Sequence, residues 1–224
     1  MIRAVIFDFD GVLADTERLH LGAFQEAFGA RGWTLAEAAY FERYLGYGDL
    51  ELIETFTQDH GLSLGEDDRA AIEAAKSEAF RARLASGNVL YPEAAACVMR
   101  LGHRFRLAIA SGALRAEIVD ILNAGDLRRH FPVVVGADDV RHSKPAPDPY
   151  LKAAAGLGVD PAVCVAVEDS RWGIEAARAA GMRTVAITTT LPAAALSAAD
   201  RIIHSLAELT PDVVDALAGR AFMP

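Results

Sequence analysis

Near the start of the chain an apolar run, Ala-Val-Ile-Phe, ends in two acids spaced two apart, Asp8 and Asp10. If the run is a strand, its two-residue period turns both carboxylates to one side, about 7 Å apart along the chain. Two acids at a buried strand end are costly, because burial and mutual repulsion both oppose their ionisation. A fold keeps such a pair when a cation sits between the acids or when one of them attacks a substrate. The segment therefore points to metal-assisted chemistry on a carboxylate.

Three more polar groups follow apolar runs further along. Ile-Ala leads into Ser111-Gly112, a loop carries Ser-Lys144-Pro-Ala-Pro-Asp-Pro-Tyr, and Val-Ala-Val leads into Glu168-Asp169-Ser170. Each has an ordinary reading alone: Asp-x-Asp a solvated turn, Ser111 a helix cap, Lys144 a surface lysine made extended by Pro145, Glu168-Asp169 an acidic helix start. All four, however, fall at the edge of a parallel sheet where ligands bind, beyond the carboxyl ends of the strands. Together, carboxylates from one edge suit Mg²⁺, a hard cation that takes oxygen ligands and keeps room for water and phosphate. Ser111 can donate to a phosphate oxygen, and Lys144 can neutralise an attacking carboxylate and the phosphoryl oxygens. One aspartate would attack phosphorus; the other would protonate the leaving oxygen and later deprotonate water.

The elements that must hold these groups can be read from periodicity. Residues 3–9 read as a buried strand. From Asp15 to about Leu90 the pattern turns helical, with one stripe of Leu19, Ala23, Phe24, Ala27 and Phe28. A second helix carries Leu50, Ile53, Glu54 and Thr57, and a third carries Ile72, Ala75, Ala79 and Phe80. Tyr91-Pro92 breaks this pattern. Helices at 93–102, 114–124, 148–157 and 171–180 then alternate with strands at 106–110, 132–136, 162–167 and 183–187. Gly181 acts as a helix stop. A short strand near 201–203 and a helix near 211–219 close the chain. Apolar strands alternating with helices predict an α/β fold, a parallel sheet covered on both faces. The expected domains are an α/β core of residues 1–14 and 91–224 and a helical insert of residues 15–90.

The 224 residues are 52% hydrophobic and carry a formal charge of −9. That composition excludes disorder, and the charge, with no long basic stretch, argues against nucleic acid as a main partner. The two cysteines, Cys97 and Cys164, lie far apart in apolar contexts without metal-ligand spacing and read as reduced core thiols. No apolar run reaches 18 residues and none of signal length precedes Asp8, so the expectation is a cytoplasmic protein with no membrane partner.

The four motifs, in this order and spacing, resemble the haloacid dehalogenase (HAD) superfamily. The match runs from Asp8-Phe-Asp10-Gly-Val-Leu-Ala-Asp15-Thr16 through Ser111-Gly112 and Lys144-Pro-Ala-Pro-Asp to Glu168-Asp169-Ser170-Arg-Trp-Gly173, covering nearly the whole chain. The helical insert resembles the cap of the beta-phosphoglucomutase and phosphoglycolate phosphatase branch. The resemblance implies a Rossmann-like parallel sheet flanked by helices, with an inserted α-helical cap. It implies that Asp8 is the nucleophile, forming an aspartyl-phosphate, that Asp10 is the general acid/base, and that Ser111 and Lys144 hold the phosphoryl group. Asp8, the carbonyl of Asp10 and Asp169 would ligate Mg²⁺, with Glu168 a direct or water-mediated ligand. Gly11, Thr16, His20, Lys76, Gly112 and Arg115 would line the substrate. Asp15-Thr16 and Leu90-Tyr91-Pro92, the two crossings into the cap, are its hinge candidates.

One segment departs from the family's sugar-phosphate mutases. Where they carry an arginine that grips a second phosphate, this chain reads Gly46-Tyr-Gly-Asp49-Leu-Glu51, with an acid in its place. Losing such a charge-assisted contact removes about 1.5–3 kcal/mol. A phosphatase acting on a small phosphorylated metabolite is therefore expected, with a beta-phosphoglucomutase-type mutase as the alternative and a monomer or weak homodimer as the assembly. Asp10 argues against a metal-free dehalogenase, and the length and helical insert argue against a receiver domain.

Overall fold

The structure, a computed structural model, describes residues 1–45, 47–84, 87 and 89–218. The chain divides into two compact units, Met1–Asp15 with Leu90–Pro224, and Thr16–Val89. Strand β1 (Ala4–Phe7) opens the first unit. The second unit follows, with α1 (Glu17–Gly29), α2 (Glu37–Ala39) running into a π turn at Tyr40–Tyr44, α3 (Asp49–Asp59) and α4 (Glu66–Leu84). The first unit then resumes with α5 (Ala94–Gly102), β2 (Arg106–Ala110), α6 (Arg115–Ala124), β3 (Val133–Val135), α7 (Asp148–Leu157), β4 (Cys164–Glu168), α8 (Arg171–Ala179), β5 (Arg183–Ile187), β6 (Arg201–Ile203) and α9 (Pro211–Asp215).

All six strands pair in parallel in the order β3-β2-β1-β4-β5-β6. The central strands are apolar on both faces, as a sheet covered by helices on either side requires. Ala4 and Ile6 join Ala108, Ala110 and Ala166 in one buried cluster with residues of α7 and α8. Val5 and Phe7 are also fully buried, and Phe7 meets Phe131 edge-on at 6.1 Å. Both cysteines are free and buried; burial pushes the Cys97 thiol up to about 11.

The structure corrects several boundaries. The strand expected over 162–167 begins at Cys164, because Asp160 accepts the N–H of Ala162 (2.8 Å) and Pro161 opens a 3-10 turn. The first strand is Ala4–Phe7 rather than 3–9, with backbone hydrogen bonds of Arg3 and Asp8 extending it by one residue at each end. The last helix stops at Asp215, and residue 219 lies outside the described residues.

Among its described residues the second unit contains helices and connecting loops and no strand. The inward face of α3 is Leu52, Ile53, Phe56 and Thr57, not the stripe of Leu50 and Glu54. Phe56 decides it: its ring lies 4.4 Å from that of Phe28, while Leu50 is left exposed. On α4, Ala75 is exposed and Lys76 points inward. The short α2 and its π turn had no signal in the helical periodicity.

Candidate active site

Sheet register places the acids. Phe7 lies level with Ile109 of β2 and Val167 of β4. One residue further, Asp8 and Glu168 therefore stand at the same height on adjacent strands, with Ser111 and Asp169 a step beyond. The backbone stays ordered up to this edge: Asp8 N–H donates to the Val167 carbonyl (2.9 Å) and Ser111 N–H to that of Val135 (3.0 Å). β1 is where the sheet grows away in both directions, the position at which open parallel sheets form a ligand crevice.

Lys144 ties the acids together. Its Nζ lies 2.8 Å from Asp8 Oδ1 and 2.6 Å from Glu168 Oε1, and it is almost wholly buried. Asp8 Oδ1 also accepts the N–H of Phe9 (2.7 Å). Burial, then the charges of Glu168 and Asp10, push Asp8 well above the usual carboxylate range; Lys144 opposes them without prevailing. Burial alone would make the Lys144 ammonium easier to deprotonate, but the charges and hydrogen bonds of Asp8 and Glu168 outweigh it and leave its pKa raised.

Asp10 faces elsewhere. Its Oδ2 accepts from Ser111 Oγ (3.0 Å), whose oxygen in turn accepts the N–H of Ala113 (3.1 Å). The turn after Asp10 needs Gly11, which sits at φ 72° in the left-handed region. A side chain there would also strike Asp169, whose Oδ2 is 1.9 Å from where a Cβ would stand.

Asp8, Glu168 and Asp169 each offer a carboxylate oxygen within 4.8 Å of the others. Three buried carboxylates against the single ammonium of Lys144 leave a surplus of negative charge. A hard divalent cation would remove that surplus, and an all-oxygen donor set fits Mg²⁺. A nearby positive charge would favour the ionised form of Asp8, which burial and its acidic neighbours oppose.

Two groups in this cluster were given no role from the sequence. Tyr150 is fully buried and donates its hydroxyl to Glu168 Oε1 at 2.7 Å. Gly173 is the other: a Cβ there would stand 1.7 Å from Glu168 Oε1, so only glycine leaves space for the carboxylate under the first turn of α8. Tyr150 reads from sequence as one more apolar-face aromatic, and Gly173 enters only as the end of the fourth matched motif, so spacing gave neither of them a role.

The substrate-lining candidates fall in both units. Gly11 and Gly112 lie in the loops beside the acids. Arg115 is half-exposed, with its guanidinium 3.6 Å from Asp139 and its N–H bonded to Asp138 (2.9 Å). Thr16, His20 and Lys76 belong to the helical unit. Thr16 precedes α1 and its carbonyl accepts the N–H groups of Leu19 and His20. His20 stacks on Phe80 with centroids 4.3 Å apart. Lys76 has no exposed surface; its Nζ pairs with Asp49 at 2.6 Å and lies over the rings of Phe24 and Phe80 at 5.4 and 5.0 Å. Gly46, in the segment that departs from the mutases, lies outside the described residues.

Known proteins share this sequence pattern and fold. The family model of haloacid dehalogenase-like hydrolases matches residues 2–181. Protein CbbY of Rhodobacter capsulatus is 38% identical over 194 residues, 82% of this chain and 84% of that protein. Fructose-1-phosphate phosphatase YqaB of Escherichia coli K12 is 35% identical over 182 residues, 81% of this chain and 94% of that protein. The crystal structure of the D10N mutant of CbbY from Rhodobacter sphaeroides in complex with xylulose-(1,5)bisphosphate superposes with a TM-score of 0.84 at 34% identity, covering 93% of this chain and 96% of the other.

Proposed function

This chain belongs to the haloacid dehalogenase-like hydrolases and is a phosphoric monoester hydrolase, and from that premise we propose that it is a Mg²⁺-dependent sugar phosphatase working through an aspartyl-phosphate on Asp8. The observation that carries this reading is the contact of Lys144 Nζ with Asp8 Oδ1 at 2.8 Å, in a cluster otherwise made of carboxylates. A buried nucleophile with a fixed cationic partner and a second acid two residues away is what phosphoryl transfer through a carboxylate requires.

In this reading Asp8 and Asp169, with the carbonyl of Asp10, would hold Mg²⁺, which when bound neutralises charge on the nucleophile and on the phosphoryl oxygens. Asp8 attacks phosphorus, forming an O–P bond as the bond to the sugar oxygen breaks. Asp10, protonated, gives its proton to that leaving oxygen. A water then attacks phosphorus, Asp10 takes its proton, and the O–P bond to Asp8 breaks to release inorganic phosphate. Ser111 and Lys144 donate to the phosphoryl oxygens throughout. Ser111 Oγ donates to Asp10 Oδ2 here, which places the phosphoryl-binding hydroxyl and the acid/base carboxylate side by side.

The substrate class is assigned as a phosphorylated ketose or similar small sugar phosphate. YqaB is named for fructose 1-phosphate and the CbbY structure holds a ketopentose bisphosphate. Asp49 supports hydrolysis over mutase chemistry: its carboxylate neutralises Lys76, so that pair adds no net positive charge for a second phosphate. The test is phosphate release from a panel of sugar phosphates with Mg²⁺ and with excess EDTA. Turnover that requires Mg²⁺ and vanishes in Asp8→Asn is expected; turnover that survives EDTA or Asp8→Asn would overturn the reading.

A further inference from the structure

Glu168 is the most heavily bonded side chain of the cluster. Oε1 accepts from Lys144 Nζ (2.6 Å) and from Tyr150 Oη (2.7 Å). Oε2 accepts from Ser170 Oγ (2.9 Å) and from the N–H groups of Asp169 and Ser170 (both 3.2 Å). A carboxylate has about four lone-pair sites across its two oxygens. Five donors therefore leave none to spare. The carboxylate is fully buried and seated against Gly173, where no side chain could coexist with it. The same proximity that makes Asp8, Glu168 and Asp169 a possible metal cluster is thus contradicted, for Glu168 alone, by what already occupies its oxygens.

Tyr150 completes that saturation. It lies on α7, six residues after Lys144, and is packed among the core residues of the sheet. Its ring also lies 5.2 Å from Lys144 Nζ, so it contacts the lysine through its face and the lysine's acceptor through its hydroxyl. Charge-assisted hydrogen bonds to a carboxylate are about twice as strong as neutral ones, and in a dry site they fix geometry tightly.

We propose that Tyr150 is a positioning residue for phosphoryl transfer: by holding Glu168 Oε1 together with Lys144, it keeps Glu168 out of the cation's ligand set and holds Lys144 on Asp8. The proposal rests on the phosphatase reading above, since it concerns how the cation and the nucleophile share neighbours. Glu168 is then an anchor for the lysine, and the carboxylate ligands are Asp8 and Asp169. A divalent ion bound in this way keeps one more water than it would with Glu168 as a direct ligand.

The experiment compares wild type and Tyr150→Phe loaded with Mn²⁺ in place of Mg²⁺, counting metal-bound waters by electron paramagnetic resonance in ¹⁷O-enriched water. The phenylalanine keeps the ring and its packing and removes only the hydroxyl. One fewer water in the variant is expected, because the freed lone pair of Glu168 enters the coordination sphere. Alongside it, kcat for a sugar phosphate falls about tenfold with KM near wild type, the scale of one charge-assisted contact. A purely structural role would lower thermal stability and leave the water count alone. An unchanged count, or a kcat equal to wild type, would overturn the proposal while leaving the phosphatase reading intact. Wild-type enzyme that binds no Mn²⁺ would overturn both. Should the phenylalanine variant not fold, Tyr150→Met, which also lacks the hydroxyl, replaces it: one fewer bound water supports the proposal and an unchanged count overturns it.

Discussion

Asp8 and Asp10 are two residues apart and of one chemical type, yet their surroundings differ. Asp8 is held by Lys144 and the Phe9 N–H; Asp10 is held by Ser111. Different environments are how two carboxylates in one site take different roles. If Asp10 acts only by proton transfer, Asp10→Asn should lower kcat by about 10²–10⁴, the usual worth of general acid–base catalysis, while Mg²⁺ affinity measured calorimetrically stays near wild type. A large loss of Mg²⁺ affinity would instead make the Asp10 side chain a ligand. At this scale the neighbourhood of Asp8, Ser111, Glu168 and Asp169 was legible, because each closely follows an apolar run and the sheet aligns those ends; Lys144, in the loop well after β3, carried no such signal of its own. Tyr150 was not legible either. Its partner Glu168 lies 18 positions away, and nothing in Pro-Asp-Pro-Tyr distinguishes a hydroxyl that meets a carboxylate from one that meets water.

The α4 helix shows the limit of periodicity at the level of elements. Lys76, expected from the resemblance to line the substrate, is fully buried: its Nζ lies over Phe24 and Phe80 and pairs with Asp49, 27 positions earlier. Apolar spacing cannot see an ion pair between two helices. Breaking a buried pair by removing one member costs about 3–5 kcal/mol, since the remaining charge is left uncompensated, whereas replacing both with apolar residues is often neutral or stabilising. Lys76→Ala should therefore lower the denaturant midpoint strongly, and Asp49→Leu combined with Lys76→Met should bring it back to wild type or above. A single Lys76→Ala variant as stable as wild type would show that the pair contributes nothing. Other features of the helical unit followed pattern poorly for a related reason: the aromatic contact of Phe56 with Phe28 set the inward face of α3, and the size of those rings outweighed the spacing of smaller residues.

Across the whole molecule, the chain leaves the sheet after its central strand and returns at Leu90. The two crossings are tied side by side within the sheet-bearing unit: Ala14 bridges to Leu90, and Tyr91 N–H donates to the Leu13 carbonyl at 3.0 Å. Neighbouring entry and exit points let a large insertion leave a sheet undisturbed. The βα alternation after Tyr91 made the parallel sheet readable, since helix and strand periods differ sharply; the exact strand ends were less so, because a cap such as Asp160 delays pairing without changing the apolar run. The sheet serves to hold one aspartate against a lysine at the carboxyl edge of its central strand, where the proposed phosphoryl transfer would take place. Intact and peptide mass spectrometry of Asp10→Asn enzyme, acid-quenched after exposure to Mg²⁺ and a sugar phosphate, tests that most directly. One added phosphoryl group on the peptide containing Asp8 is the predicted result; phosphate released by this variant with that peptide never modified would contradict it.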